Sequence, residues 1–377
     1  MIPSSVTPGL SRSAFVGGLF AAAFILASCG QPATPAAVAD AATVKAGLSG
    51  DDASRDALYA LYAAARAANE PGATIYVASV PEELKPLSDA FAASFPGLRA
   101  DFQRFIGDKL AARLDGEYGS GKHTGDVVLA SVIEERNLGR AGRLTAWTPP
   151  TLAGLAAADR DAKGFWHVPY RKVFTIAYNP GLVPVGEVPA TLSDVLDPKW
   201  RGRYAFPSAG ISGPSITALS LLAGKGQVSD AQIVAFDRYG TGGPASSELI
   251  PSVAQGRYAF ALWVNAAAVI AQRDEGAPMQ VGFSPQLSVT TNVAAGVLER
   301  APHAESAKLF VAWLFTPAAQ KIITDLYFYG AQPDAPLPQG FPAPGTLLNS
   351  GVVEDEAFAA RMTAFYQHRA ALVAAAR

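Results

Sequence analysis

Short strands that alternate with helices constrain this chain more than any other feature. Residues 74–78 (TIYVA) and 126–130 (DVVLA) are apolar runs of strand length. Between them Leu84, Leu87, Phe91 and Phe95 recur at helical spacing, Leu98, Ala100 and Phe102 alternate as another strand, and residues 108–114 make a second helix. Such alternation requires an α/β fold, with a largely parallel sheet covered on both faces. Sheets of this kind take ligands past the carboxyl ends of their strands. That singles out Ser79 and Ser131, although a serine in either place also suits the cap of a following helix.

Residues 165–179 (FWHVPYRKVFTIAYN) form a long aromatic and β-branched segment that leads into a second αβ lobe. A helix at 191–196, the stretch 197–222, and helices near 230–237 and 247–255 follow. A buried strand at 258–264 (YAFALWV), a helix at 266–273, and strands at 279–283 and 292–298 then return toward the first lobe. Helical patterns close the chain at 303–315, 317–329 and 355–376. There is no fixed-period repeat.

The stretch 197–222 (DPKWRGRYAFPSAGISGPSITALSLL) reads as turn, strand, small-residue loop and helix. Gly210, Ser212 and Gly213 add little bulk, and Pro214 stands at the first helical position, which leaves the amides of Ser215 and Ile216 as free donors. A helix end of this kind favours an anion by ~0.3–1 kcal/mol, or up to ~2 kcal/mol when partly buried. It orients a carboxylate or phosphate but does not define a site alone.

A chain of 377 residues with 50% hydrophobic and 16% charged residues has enough apolar surface for one large or two medium domains. Its net charge of -2 and lack of a basic run give no field for nucleic acid. At the amino end, Arg12 is followed by an apolar run from Ala14 to Leu26 and then Leu-Ala-Ser-Cys-Gly. That run is too short for the ~20 residues that span a bilayer, and it resembles a bacterial lipoprotein signal. The resemblance implies a signal peptide at 1–28, lipidation of Cys29, and a membrane anchor in the periplasm or cell envelope. It uses up the chain's single cysteine, so no disulfide or thiolate chemistry remains. Residues 29–50, rich in alanine and proline, are expected to be a flexible tether, and 51–72 an N-terminal helix with Leu58, Leu61, Tyr62 and Ala65 on one face.

Several segments together carry a family likeness: TIYVAS from Thr74, DVVLAS from Asp126, IAYN from Ile176, DPKWRG from Asp197 and AKLFVAWL from Ala307. In this order, with the lipoprotein signal, the chain resembles the ABC-transporter substrate-binding proteins of the ferric-iron, phosphonate and polyamine branch. The resemblance covers roughly residues 74–337. It implies the two-lobe periplasmic-binding-protein fold of type 2, with a two-strand hinge about which the lobes close on a ligand. Lobe 1 would comprise 73–170 and 290–377, and lobe 2 171–289. It also implies a monomer that hands a small-molecule or metal-complex ligand to a membrane permease, without a cofactor of its own.

By position, the family's ligand seat falls on 208–214, 241–247 and 264–265. With the strand ends and the hinge, this gives Ser79, Ser131, Tyr170, Arg171, Ser212, Gly213, Ser215, Ser246 and Asn265 as ligand-binding candidates. Arg171 suits a bidentate contact to a carboxylate or phosphonate. Ferric members carry two adjacent tyrosines where this chain has Ala266 and Ala267. Ferric ion wants oxygen donors, and Tyr170, Tyr239, Tyr327 and Tyr329 are the phenols left to supply them. The expectation is therefore an anionic organic solute, with ferric ion as the alternative ligand.

Other chemistries fare worse. Residues 116–123 (GEYGSGKH) approach a phosphate-binding loop, but His123 stands where serine or threonine is needed and the segment precedes a strand. His123, His167, His303 and His368 show no metal-ligand spacing. An exported hydrolase using the same cleft is the rival class, but the chain lacks both G-x-S-x-G and H-E-x-x-H. A structural envelope lipoprotein that binds nothing is the third.

Overall fold

In the computed structural model of the protein, the described residues are 41–208, 213–243, 245–348 and 354–376. The expected signal peptide, Cys29 and Ser212 lie outside them. The chain opens with α1 (Ala41–Gly47) and α2 (Asp52–Ala67), the latter capped by Asp51, whose Oδ1 accepts from the Ser54 amide at 2.8 Å. The expected tether reached Gly50, but residues 41–50 are folded against the body. Val44 and Leu48, four residues apart, are buried in its core, and the Ser49 hydroxyl accepts from the Ala318 amide at 3.0 Å. An alanine-rich composition hid this apolar pair.

The first αβ half contains β1 (Gly72–Val77), α3 (Lys85–Ser94), β2 (Arg99–Arg104), α4 (Asp108–Ser120), β3 (Val127–Ser131) and α5 (Val132–Arg140). β4 (His167–Tyr178) crosses to the second half, which contains α6 (Leu192–Val195), β5 (Tyr204–Pro207), α7 (Pro214–Gly224), α8 (Asp230–Tyr239), β6 (Thr241–Gly243), α9 (Ser246–Ala254), β7 (Phe260–Asn265), α10 (Ala266–Asp274) and β8 (Gln280–Gly282). β9 (Val289–Val297) crosses back, and α11 (Ala304–Trp313), α12 (Pro317–Asp325), β10 (Tyr329–Gly330) and α13 (Glu356–Ala375) complete the chain.

The strands run β2-β1-β3-β9-β4-β7-β5-β6, with β8 and β10 also paired to β4. Pairing is parallel within each half, β1 with β2 and β3, and β5 with β6 and β7. The centre is antiparallel, which corrects the expectation of a largely parallel sheet. β9 pairs with β3 from Val127↔Val297 to Ser131↔Val293, and with β4 as far as Phe174↔Val289. On its other edge β4 meets β7 at Phe174↔Asn265. Residues 171–173 and 290–292 thus bridge the two sets of strands. Strand direction has no signature in apolar alternation, so these crossings could not be read from periodicity.

Each half has its own core. In the first, Phe91 packs 5.0 Å from Phe95, 5.4 Å from Phe310 and 5.6 Å from Trp313 between ring centroids. In the second, Phe236 packs 4.4 Å from Phe206 and 5.3 Å from Trp263, and Tyr204 stacks on Phe260. Aromatic side chains bury the most area per residue, so these clusters dominate each half's stability. α13 lies along α7 and α8, with Phe358 and Met362 against Ile216. Its first turn reaches α5, where Glu356 pairs with Arg140 at 2.5 Å.

Candidate ligand-binding cleft

The carboxyl ends of β3 and β7 meet the crossing strands, and Ser79, just past β1, meets Lys172 of β4. β3 ends at Ser131, opposite Val293, and β7 ends at Asn265, opposite Phe174, so both halves end within a few residues along β4. The candidate site is built around that junction.

On the first-half side, Ser79 follows β1 and is buried. The Lys172 ammonium donates to its hydroxyl at 2.5 Å. Tyr170 stacks on Phe328, with centroids 5.1 Å apart and planes at 15°, and the Lys172 ammonium lies 5.3 Å from the same ring centroid. Burial pushes the Tyr170 phenol up, the charge of Glu83 adds to this, and the Ser79 hydroxyl partly offsets it. Burial holds the Lys172 amine below the usual lysine value, opposed by Glu83 and reinforced by Arg104.

Arg171, the adjacent residue, is turned elsewhere. Its guanidinium pairs with the buried Asp159 carboxylate at 2.5 Å. Neighbouring side chains on a strand point to opposite faces, so one of the two cations had to be turned away from Ser79. Ser131 is engaged in the cap of α5. Its hydroxyl donates to Glu134 Oε2 at 2.8 Å and accepts from the Glu134 amide at 3.3 Å, a complete capping box.

The second-half side is built from helix amino ends. Gly213 is the N-cap residue of α7 and supplies no side-chain cap, and Pro214 follows it in the first turn. Ser215 is 2% exposed, and its hydroxyl has no hydrogen-bond partner among the described residues. A buried hydroxyl without a partner costs ~1–3 kcal/mol. Ser246 is half-buried at the start of α9, whose N-cap, Ala245, also lacks a side-chain cap. Asn265 caps α10, its Oδ1 accepting from the Ala267 amide at 3.2 Å.

Asn265 is aimed by an irregularity in β7. Thr175 faces Val264 and Ala177 faces Ala261, so β7 carries one extra residue, and Trp263 has a left-handed φ of 52°. Its indole Nε1 is buried without a partner among the described residues. Bulges of this kind re-aim side chains beside functional sites. Neither Lys172 nor Trp263 was among the sequence candidates. The Arg171-Lys172 pair was the available signal for the first, while a positive φ at tryptophan has none.

Ala266 and Ala267 are buried, at 0% and 9% exposure, so phenol rings would not fit there without displacing neighbours. The remaining tyrosines have separate engagements. Tyr239 accepts from Arg201 at 2.8 Å, Tyr329 donates to the Pro342 carbonyl at 2.6 Å, and Tyr327 stacks on Phe341. Among the described residues no group of three His, Cys, Asp or Glu side chains could hold a metal. Residues 116–120 of the phosphate-loop lookalike form the last turn of α4, which ends at a left-handed Gly121. Cavities of about 640 and 820 Å³ lie elsewhere, one beside α12 and one beneath α13, and neither includes Ser79, Lys172, Ser215 or Asn265.

Residues 67–321 match the family model described as bacterial extracellular solute-binding protein. The chain belongs to this family. Solved structures extend the likeness. Iron-bound HitA from Pseudomonas aeruginosa is 18% identical over 79% of this chain and 98% of that one, with a TM-score of 0.66. The periplasmic binding protein AfuA from Actinobacillus pleuropneumoniae, with exogenous fructose-6-phosphate bound, is 15% identical over 80% and 96%, with a TM-score of 0.63. A substrate-binding protein of an ABC transporter from Agrobacterium tumefaciens is 14% identical over 80% and 94%, with a TM-score of 0.66. No curated protein sequence matches. At these identities the likeness is one of fold, and it establishes the two-lobe type 2 arrangement. Family membership makes this chain a bacterial extracellular solute-binding protein.

Proposed function

We propose that this solute-binding protein captures a small organic anion between its lobes and delivers it to an ABC permease, with no chemistry of its own. The observation that carries the anionic reading is Ser215: a buried hydroxyl, without a partner among the described residues, in the first turn of a helix whose N-cap, Gly213, provides no side-chain cap. A ligand oxygen at this helix end would satisfy the hydroxyl, the first-turn amides and the helix dipole together. In this reading lobe 1 comprises 73–170 and the part of 290–377 that precedes α13, and lobe 2 comprises 171–289, with α13, expected in lobe 1, packed instead on α7 and α8 of lobe 2. Ser79, Gly213, Ser215, Ser246 and Asn265 line the cleft, joined by Ser212 of the seat loop, and Cys29 carries the lipid that tethers a monomer to the membrane. Arg171 and Ser131 serve the architecture through Asp159 and the α5 cap.

Native mass spectrometry of the purified full chain tests this, with a thermal-shift panel of organic acids, phosphate esters, polyamines and ferric chelates alongside. A ligand bound at 100 times its dissociation constant should stabilise by ~2.7 kcal/mol. A co-purifying acid or a response confined to anions is the expected result. Recovery of ferric ion, or a response only to polyamines, would overturn it.

A further inference from the structure

Lys172 stands out among the protein's cations. It is half-buried on a crossing strand, it donates to Ser79, and it makes no ion pair among the described residues, whereas Arg171 beside it is paired with Asp159. Taking an ammonium out of water without a counter-ion is costly. The surrounding groups do not cancel its charge: Arg104 adds to it, Glu83 opposes it without reaching ion-pair distance, and Tyr170 is held as a neutral phenol. An ammonium carries three N–H donors. One is given to Ser79, and the aromatic face of Phe328 stabilises the charge without accepting a conventional hydrogen bond. Donor capacity therefore remains for an oxyanion.

We infer that Lys172, rather than Arg171, is the charge-selecting residue of the cleft and forms the ion pair with the solute's carboxylate or phosphate group. The inference rests on the anionic reading above and adds the residue that supplies a full charge. It also explains the placement of the cation. Lys172 pairs with Thr291 inside the three-residue bridge between the strand sets, so an anion bound there engages the hinge itself. Together with the α7 amino end of the proposed seat, Lys172 would let the solute draw on both halves as they close.

The test compares wild type, Lys172→Gln and Lys172→Arg by thermal shift and calorimetric titration with inorganic phosphate, citrate and fructose-6-phosphate, and with fructose as the neutral control. At least one anion should stabilise wild type while fructose does not. Lys172→Gln should weaken that anion about 10- to 100-fold, and Lys172→Arg should retain most of the affinity. Equal binding by wild type and Lys172→Gln would remove Lys172 from the site and leave the anionic reading standing. No response of wild type to any of the three anions would overturn both. A readout without a variant is wild-type affinity against pH: it should fall as Lys172 deprotonates, below the ordinary lysine value of 10.5. A flat profile up to that pH would overturn the assignment even if the glutamine variant did not fold.

Discussion

Arg369 and Asp237 join the C-terminal helix to α8 by a two-point ion pair. Arg369 Nε donates to Asp237 Oδ2 at 2.9 Å and Nη2 to Oδ1, and the two side chains are only 12% and 13% exposed. The guanidinium also lies 6.0 Å from the Phe206 ring centroid. Removing one partner of a shielded pair leaves the other charge uncompensated, which costs ~3–5 kcal/mol in fully buried cases. Arg369→Ala should therefore lose about 3 kcal/mol in urea unfolding, and hydrogen exchange should rise first along α13. Lys at this position keeps the charge but not the planar fork, so it should recover only part of the loss. A cost under about 0.5 kcal/mol, the range of an exposed pair, would show that the helix is held by its apolar face alone.

His167 predicts a loss of stability in acid. It is 2% exposed, and burial lowers its imidazole from 6.5 to about 4. Because the unfolded state takes up the proton first, this contribution is fully present above pH 6.5 and is lost as pH falls through about 4. Its full size is on the order of 3 kcal/mol. Replacing His167 by phenylalanine, which cannot titrate, should flatten the thermal-stability profile between those two values. An unchanged slope would locate the acid sensitivity elsewhere.

Glu135 has the opposite sign. Neither of its carboxylate oxygens has a hydrogen-bond partner among the described residues, and a Cβ on Gly296 would come within 2.5 Å of Oε2. Burial and the charge of Glu134 push its carboxyl well above the usual carboxylate range. The contribution of a group raised in this way is complete below the unfolded value and is lost as pH rises through the folded one. Glu135→Gln keeps the shape and removes the titration. Its melting temperature relative to wild type should therefore climb from pH 5 to pH 8, with a gain of about 1 kcal/mol or more at the upper end. A difference that stays constant with pH would show that the carboxyl does not titrate in this range.

The parts of the fold set by local periodicity could be read from the residues. β1 and β3 lie where their apolar runs predicted, and α7 begins at Pro214, as the ring's fixed φ and missing N–H favour. Features set by long-range pairing could not. Strand direction at the centre of the sheet depends on which segments cross, and the choice between Arg171 and Lys172 depends on face. Face follows from a register shift between His167 and Tyr170 that no residue type announces. The extra residue in β7 and the left-handed Trp263 likewise come from packing two halves around one pair of strands. Composition misled for residues 41–50, where alanine and glycine surround the two side chains that matter, Val44 and Leu48.

Ser215 offers a separation of stability from binding. Its hydroxyl is buried without a partner among the described residues, so deleting it should remove a desolvation cost rather than a hydrogen bond. Alanine is also the stronger helix former. Ser215→Ala should therefore leave the free protein as stable as wild type or more stable, by up to about 1 kcal/mol. If the hydroxyl instead completes a contact to the solute, the same substitution should weaken the anion that responds in the thermal-shift panel by about 10-fold. The two effects oppose each other: a higher melting temperature without ligand and a smaller shift with it. A destabilised free protein would mean that Ser215 has a structural partner, and unchanged affinity would take the α7 amino end out of the binding cleft.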